Sequence, residues 1–185
     1  MTFTRPLLLA AAASSILLAL PAHAEGWRFA PLLSDRDFKL EPTLAVTAGR
    51  VAPTASGADS GSAFGIELNF NCGLIQSPDN RIRTHLTLSR FDEDDAEVTS
   101  FELSPRYTLP LDDRLSVGVG PSLALLKAEA GDRDENLFGY GVAAGLNYRA
   151  GAFYAGADLR YQATTKKNDL EFDNWALTAK LGVNF

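Results

Sequence analysis

The carboxy-terminal end of the chain alternates strictly between apolar and other side chains. From residue 175 onward every second residue is apolar: Trp175, Leu177, Ala179, Leu181, Val183 and Phe185. The residues between them are small, polar or charged. A period of two predicts a β-strand with two different faces. A final aromatic on such a strand favours a strand that closes a barrel in lipid, where aromatic side chains lie at the membrane–water interface.

The amino-terminal segment predicts export from the cytoplasm. Arg5 precedes a fourteen-residue apolar run, 7–20, which is followed by Pro21 and the small-residue site Ala22-His23-Ala24. This pattern is typical of a signal peptide, so we expect residues 1–24 to be removed. A transmembrane helix needs about 20 apolar residues, and an uncleaved anchor is therefore the weaker alternative. We expect residues 25–37 to form a periplasmic lead-in and residues 38–185 to form one domain.

Seven further segments alternate in the same way as the last one. They are 38–51, 64–72, 81–89, 100–109, 115–125, 138–149 and 153–162. A tilted strand that crosses a bilayer needs about 9–11 residues, whereas strands of soluble proteins usually have about 5–6. The eight segments predict an all-β fold, an eight-stranded antiparallel transmembrane up-and-down β-barrel.

The composition of the two faces indicates which one points outward. A soluble lipocalin-like barrel has eight strands too, but its apolar face points inward. Here the polar faces of 115–125 and 138–149 are rich in Gly and Ser, which a narrow lumen needs and a solvated face does not. Aromatic residues also collect near both ends of the strands, as in the two girdles of a membrane barrel. We therefore predict an apolar exterior in contact with lipid.

The connections between the segments predict the orientation in the membrane. Those after even-numbered strands are mostly short turns, and those after odd-numbered strands are polar and mostly acidic. Outer-membrane barrels have short periplasmic turns and longer outside loops. We expect a Gram-negative outer-membrane protein with both termini in the periplasm.

With these features the chain resembles the small outer-membrane β-barrel proteins: the OmpX and Ail group, the opacity-type barrels and the transmembrane domain of OmpA. The resemblance covers 38–185 and depends on the architecture, the strand from Tyr140 to Tyr148 and the closing strand that ends at Phe185. It implies the common fold of this class. It also implies a range of roles, including adhesion, envelope stability, small passive channels and a few enzymes.

Charged residues on the inward parity are the main candidate site. They comprise Glu67, Arg83, Glu102, Arg106, Asp158, Arg160 and Lys180, with Glu41 and Arg149 also on this face. Buried charges must be paired, so these residues predict a network of ion pairs that fills the lumen. A gate or a narrow ion path is the functional alternative to such a plug.

Catalytic and ligand-binding motifs are weak. His85 is followed at two residues by Thr87 and at four by Ser89, whereas lipid A deacylase barrels place a Ser two residues from the His; His85 also lies on the lumen parity. The acidic runs 92–95 and 132–135 lack the ligand spacing of a calcium loop, and we expect them to be solvated. Cys72 is expected to face lipid. We predict no catalytic residue, cofactor or metal site.

The sequence thus predicts a non-enzymatic outer-membrane protein with a structural or surface-interaction role. A narrow small-solute channel and a lipid-modifying enzyme are the alternatives. The expected partners are outer-membrane lipid, lipopolysaccharide, periplasmic chaperones and the barrel assembly machinery, with Trp175 and Phe185 as part of the assembly signal. Nucleic acid is not expected as a partner, because 23 acidic residues outnumber 17 basic ones.

Deletion of Phe185 is expected to impair membrane insertion. The deletion shortens the closing strand and removes its terminal aromatic, so edge groups are less completely paired in lipid. Less heat-modifiable folded protein should reach the outer membrane, and more should remain in the periplasm. Insertion of the truncated chain at the parental level would show that Phe185 is not part of the signal.

Overall fold

The computed structural model describes residues 26–54, 59–93, 96–130, 133–167 and 171–185, and the described chain forms a closed antiparallel β-barrel. The predicted signal peptide, 1–24, lies outside the described residues. Eight strands build the barrel wall: β2 (Thr43–Pro53), β3 (Gly61–Asn71), β5 (Ile82–Glu93), β6 (Ala96–Pro110), β7 (Leu115–Ala130), β8 (Arg133–Ala150), β9 (Phe153–Thr164) and β10 (Asn174–Asn184). Two short strands, β1 (Arg28–Phe29) and β4 (Ile75–Gln76), form a separate pair, and the helix α1 (Pro31–Ser34) follows β1.

The barrel closes between its first and last strands. Along the wall each strand pairs with its sequence neighbour, and β10 then pairs with β2 from Asn174↔Pro53 to Asn184↔Thr43. The backbone N–H of Phe185 adds a further hydrogen bond of 2.9 Å to the carbonyl of Pro42. Closure gives every wall strand two partners and leaves no sheet edge, as a β structure in lipid requires. The predicted all-β fold of eight antiparallel strands is confirmed.

The strand bounds differ from the predicted ones at both ends of the barrel. The first wall strand begins at Thr43 instead of residue 38, because Glu41 adopts a left-handed backbone conformation with φ 45° and Pro42 follows it. At the loop end, β7 and β8 extend to 16 and 18 residues and include most of the connection expected between the segments 115–125 and 138–149. The outward residues of this extension are charged and not apolar, so the apolar alternation in the sequence ends before the strands do.

The outer surface of the barrel is apolar along the middle of the strands. Side chains that point outward and are exposed include Leu44, Val46, Phe64, Ile66, Leu103, Leu123, Val142, Leu159, Leu177 and Leu181. Two aromatic pairs lie on this surface near opposite ends, Tyr161 with Trp175 at 4.9 Å between ring centroids and Tyr148 with Phe153 at 6.3 Å. Above the apolar band, toward the longer loops, the outward side chains become charged, as at Arg90 and Lys127. An apolar exterior over a polar interior is the reverse of a soluble protein and suits a bilayer.

Two of the three connections at the end that carries both described termini are tight turns. Between β6 and β7, the Asp112 carboxylate accepts hydrogen bonds of 2.7 Å from the backbone N–H groups of Arg114 and Leu115. These two bonds lower the pKa of Asp112. Between β8 and β9, Gly151 takes φ +59°, a conformation that glycine adopts without strain. Local side-chain chemistry therefore sets the short connections, as the sequence indicates.

The lead-in folds against the connection between β3 and β5. Strand β1 pairs with β4 in the register Arg28↔Gln76 and Phe29↔Ile75. The Gln76 side chain hydrogen-bonds both backbone groups of Ile82, donating to its carbonyl at 2.6 Å and accepting from its N–H at 3.0 Å. This small subdomain is thus tied to the start of β5. Within the described residues no helix has the length and hydropathy needed to cross a membrane.

Replacement of Leu103 by Arg is expected to destabilise the barrel by about 2–4 kcal/mol, because it places a charge in the apolar band. Leu103→Val keeps the position apolar and serves as the control. The measurement is the free energy of unfolding in phospholipid vesicles. Equal stabilities of the two variants would contradict the assignment of this face to lipid.

Candidate functional site: the closed lumen

The lumen is lined by the polar residues of alternate strand positions. Those that are buried include Thr43, Thr47, Glu67, Asn69, Asn71, Arg83, His85, Glu102, Ser104, Arg106, Asn147, Asp158, Asn174 and Lys180. The charged side chains come from β3, β5, β6, β9 and β10, and also from β8 through Arg149, so that they converge from most of the wall. Small residues on neighbouring strands leave space for these charged side chains. At Gly145, for example, a Cβ atom would lie only 2.1 Å from an Asp158 carboxylate oxygen.

Lys180 is the centre of the middle layer of this network. Its Nζ lies 3.0 Å and 3.1 Å from the two Glu67 carboxylate oxygens and 2.9 Å from Asp158 Oδ2. Arg106 donates to the same Asp158 oxygen at 2.8 Å and to the Ser104 hydroxyl at 3.1 Å. Two carboxylates and two cations thus form one connected group across the barrel, which satisfies the pairing that buried charge requires.

A separate ion pair lies toward the loop end. Arg160 contacts the Glu102 carboxylate directly and also donates to Asn174 Oδ1 at 3.2 Å. This pair connects β6 to β9 and β10 through the lumen, between strands that do not touch in the wall. It braces opposite sides of the barrel.

The end of the lumen near the two described chain termini is richer in positive charge. Arg83 donates to the side-chain oxygens of Asn69 and Asn71 and to the backbone carbonyl of Glu41. Arg149 donates to the same Asn69 oxygen at 2.8 Å. The Glu41 carboxylate is 3.9 Å from Arg83, but its side chain is 61% exposed, so it lies at the mouth and not in the lumen as the parity predicted. Arg83 is therefore held mainly by amide and carbonyl oxygens, not by the acids of the middle layer.

The loop end of the lumen is closed by an apolar cluster that the sequence analysis missed. Val51, Phe91, Val98, Ala124, Leu126, Ala128, Leu137 and Ala176 are buried there, with Ala63 and Phe172 packed against them. The rings of Phe91 and Phe172 are 5.4 Å apart. The strand residues of this cluster occupy the positions that were expected to face the lumen. A few large apolar residues at these positions were the only sign of the cluster in the sequence. We call this set the apolar cap.

A cavity of about 50 Å³ remains between the apolar cap and the ion network. Its walls include the Glu67, Glu102 and Asp158 carboxylates, the cations Arg106, Arg160 and Lys180, and the underside of the cap at Val51 and Ala176. A single water needs about 10–15 Å³ of such volume, so the cavity has room for a few waters.

The geometry around His85 places it within the network. Its Nδ1 lies 3.0 Å from Glu67 Oε1, and the side chain is buried in the lumen. A lipid molecule on the outer surface of the barrel has no contact with this imidazole. Sequence spacing had placed Thr87 and Ser89 on the same face, and both line or border the cavity rather than the exterior.

The structure also bears on the expectations for Cys72 and for the two acidic runs. Cys72 is buried at the end of β3 rather than facing lipid, so that expectation was wrong; the hairpin 72–82 folds back there and hydrogen-bonds Cys72 N–H to the carbonyl of Ile82. The acidic runs near 92–95 and 132–135 lie partly outside the described residues. Where they are described, Asp92, Asp134 and Glu135 pair with basic side chains, and the described residues contain no group of three potential metal ligands.

The fold and the filled lumen define a class: a small closed β-barrel with a lipid-compatible exterior and a sealed polar interior. No protein-family model matches this chain, and no curated protein matches it by sequence. Among solved structures, it is similar to Neisserial surface protein A at 19% identity and a TM-score of 0.58, over 77% of this chain and 94% of the other.

A second similar structure is the outer membrane protein OprG from Pseudomonas aeruginosa, at 12% identity and a TM-score of 0.52, over 80% of this chain and 97% of the other. The attachment invasion locus protein Ail of Yersinia pestis matches at 18% identity over 80% of this chain and all of the other, with a TM-score of 0.46. Neisserial surface protein A and OprG are small eight-stranded outer-membrane barrels, and the predicted resemblance of fold is confirmed.

Replacement of Lys180 by Met is expected to destabilise the barrel by about 3–5 kcal/mol, because it leaves two buried carboxylates without their shared cation. Lys127→Met is the matched control: Lys127 also contacts two carboxylates, but its side chain is 50% exposed against 1% for Lys180, and such pairs contribute at most about 1 kcal/mol. The measurement is the free energy of unfolding. Adding Glu67→Gln to Lys180→Met should recover part of the loss, and no recovery would point to packing instead of charge.

Proposed function

We propose that this chain is an outer-membrane β-barrel with a structural or surface-interaction role, and that its lumen does not conduct. The observation that carries the proposal is the double closure of the lumen, by the apolar cap above and by the network around Lys180 below. The apolar exterior and the similarity in fold to outer-membrane barrels support the location. On this proposal both chain ends lie in the periplasm.

The proposal makes lipid the first partner. The outward apolar band contacts acyl chains, and lipopolysaccharide surrounds the loop end in the outer leaflet. Insertion by the barrel assembly machinery, with delivery by periplasmic chaperones, follows from the signal peptide and the closing strand. The outward charged residues of the β6–β8 extension, such as Lys127, Glu129 and Asp134, stand above the apolar band and are available for contact with molecules at the cell surface.

The proposal includes no catalytic activity. What supports this is the position of His85, which is enclosed in the lumen and hydrogen-bonded to Glu67. Nucleophilic catalysis needs a hydroxyl or thiol within reach of a base and a path for the substrate. Lipid on the exterior has no such path to His85.

Planar-bilayer recordings test the proposal. The refolded parent is expected to show no appreciable conductance at neutral pH. The double variant Phe91→Ala with Glu102→Ala removes a ring from the cap and one partner of the Arg160 ion pair, so a small conductance should appear. Phe101→Ala with Glu102→Ala is the control, because Phe101 is a large aromatic that faces outward on β6. A large, steady conductance in the unmodified protein would overturn the proposal in favour of a small-solute channel.

A further inference from the structure

The lead-in and the β3–β5 connection carry a patch of strongly exposed apolar side chains. Leu33 is 87% exposed, Leu74 78%, Phe29 72% and Leu32 53%. Most outward apolar residues of the wall are less exposed than Leu33 and Leu74, because neighbouring strands flank them. We call these four residues the periplasmic patch. A contiguous patch of this kind marks a surface that meets another apolar phase or partner.

The segments that carry the patch are held in place. Ala30 N–H donates to the Leu74 carbonyl at 2.7 Å, and Leu32 N–H to the Gly73 carbonyl at 3.3 Å. The Leu32 side chain packs against Gly73, since a Cβ there would lie 3.0 Å from Leu32 Cβ. An ion pair of 2.6 Å between Arg28 and Asp35 joins the two ends of the lead-in around α1. The four apolar side chains are therefore exposed on segments that hydrogen bonds and an ion pair hold in place.

The patch lies at the end of a part of the wall where the outward apolar stripe is short. On β8 the outward stripe runs from Phe138 to Tyr148. Its ten residue-to-residue steps at about 3.3 Å each, tilted by about 40°, give about 25 Å of height, which matches the apolar band of membrane barrels. On β3 the stripe runs only from Phe64 to Phe70 and ends in the connection that carries Leu74. Its six steps give about 15 Å by the same geometry.

The outward apolar stripe on β5 is as short as the one on β3, and the periplasmic patch lies beyond the ends of both stripes. The outward apolar residues of β5 are Ile82, Leu86 and Leu88. The polar Thr84 lies between them, and Arg90 follows Leu88 on the same face. On the other side of β3, Leu40 extends the stripe of β2, and its carbonyl accepts a hydrogen bond of 2.8 Å from Asn71 N–H. Leu74 follows β3 after two residues, and the backbone hydrogen bonds from Ala30 and Leu32 to Leu74 and Gly73 hold α1 beside it, so the patch adjoins the end of the β3 stripe.

We propose that the periplasmic patch enters the inner leaflet of the same bilayer and supplies the apolar height that β3 and β5 lack. The occupant is the acyl-chain region of phospholipid just below the headgroups. The described residues 26–41 and 72–81 carry four basic and four acidic side chains, which balance one another: Arg28, Arg36, Lys39 and Arg81 against Asp35, Asp37, Glu41 and Asp79. Contact is therefore apolar and does not depend on anionic lipid. The inference builds on the proposed membrane location.

Spin-label accessibility in phospholipid vesicles tests the proposal. Single labels are placed at Leu33→Cys and Leu74→Cys in a Cys72→Ala background, with Leu103→Cys as the lipid-facing reference and Asp37→Cys as the aqueous reference on the same lead-in. Oxygen partitions into acyl chains, and a nickel chelate stays in water. Labels at 33 and 74 are expected to show oxygen-to-nickel accessibility ratios close to that of Leu103→Cys.

The references separate the two proposals. If Leu103→Cys lies in lipid while the labels at 33 and 74 match Asp37→Cys, the patch faces water and this inference is wrong, but the barrel remains in the membrane. If Leu103→Cys also matches Asp37→Cys, the membrane location itself fails. A lipid-like ratio at only one of the two patch positions also contradicts the proposal, which requires both.

Folding yield in bilayers of different thickness tests the claim about height. Leu33→Asp is compared with Ser34→Asp, which adds the same charge to the adjacent exposed residue of α1. Leu33→Asp is expected to lower the folded fraction more in thick bilayers than in thin ones, because a shortened apolar surface matches a thin bilayer better. Ser34→Asp should stay near the parent in both. Equal yields for the two variants in thick bilayers would show that Leu33 adds no apolar height.

Discussion

Pairing of the backbone hydrogen bonds constrains every other feature of this chain. In lipid an unpaired N–H or carbonyl has no water to bind, so a β structure must close on itself. The register between β10 and β2 achieves this closure from Thr43 to Asn184. Once the wall is closed with eight strands, its interior is only wide enough for side chains. The polar face of each strand must then find its partners inside a narrow space, and the ion network around Lys180 follows from that geometry.

The narrow space inside the barrel is filled in two different ways along its length. In the middle, carboxylates and cations pair directly. Arg106 with Asp158 joins β6 to β9, and Lys180 with Glu67 joins β10 to β3, and neither pair of strands is adjacent in the wall. At the loop end, where β6, β7 and β8 rise above the apolar band, the described interior is packed with apolar residues such as Phe91, Leu126 and Leu137. The extension therefore has a small apolar core of its own, with charged residues on its outer side. The strand pattern therefore changes from polar-inside to apolar-inside at the level where the outward apolar band ends.

Much of this architecture could be predicted from the sequence, because a period of two is a strong signal over ten residues or more. The strand number, the direction of each face and the inward charges all follow from parity. The individual partners do not, since Lys180 and Glu67 are 113 residues apart and their meeting depends on the register of the closed barrel. The apolar cap was missed because residues such as Val51 and Phe91 contradict the parity rule that identified the lumen. The pairing of β1 with β4 was missed because two-residue strands carry no periodicity.

The strict parity of β8 has a consequence for how this chain tolerates change in length. Gly141, Ala143, Gly145 and Asn147 face the lumen, and Tyr140, Val142, Leu146 and Tyr148 are turned away from it. Insertion of one residue in the middle of the strand exchanges these roles for every position on one side of the insertion, because the side-chain period is two. Bulky apolar residues would then enter the lumen, and an amide would meet acyl chains. Insertions and deletions in such a wall are therefore expected to accumulate in the connections, or to occur within strands as pairs of residues.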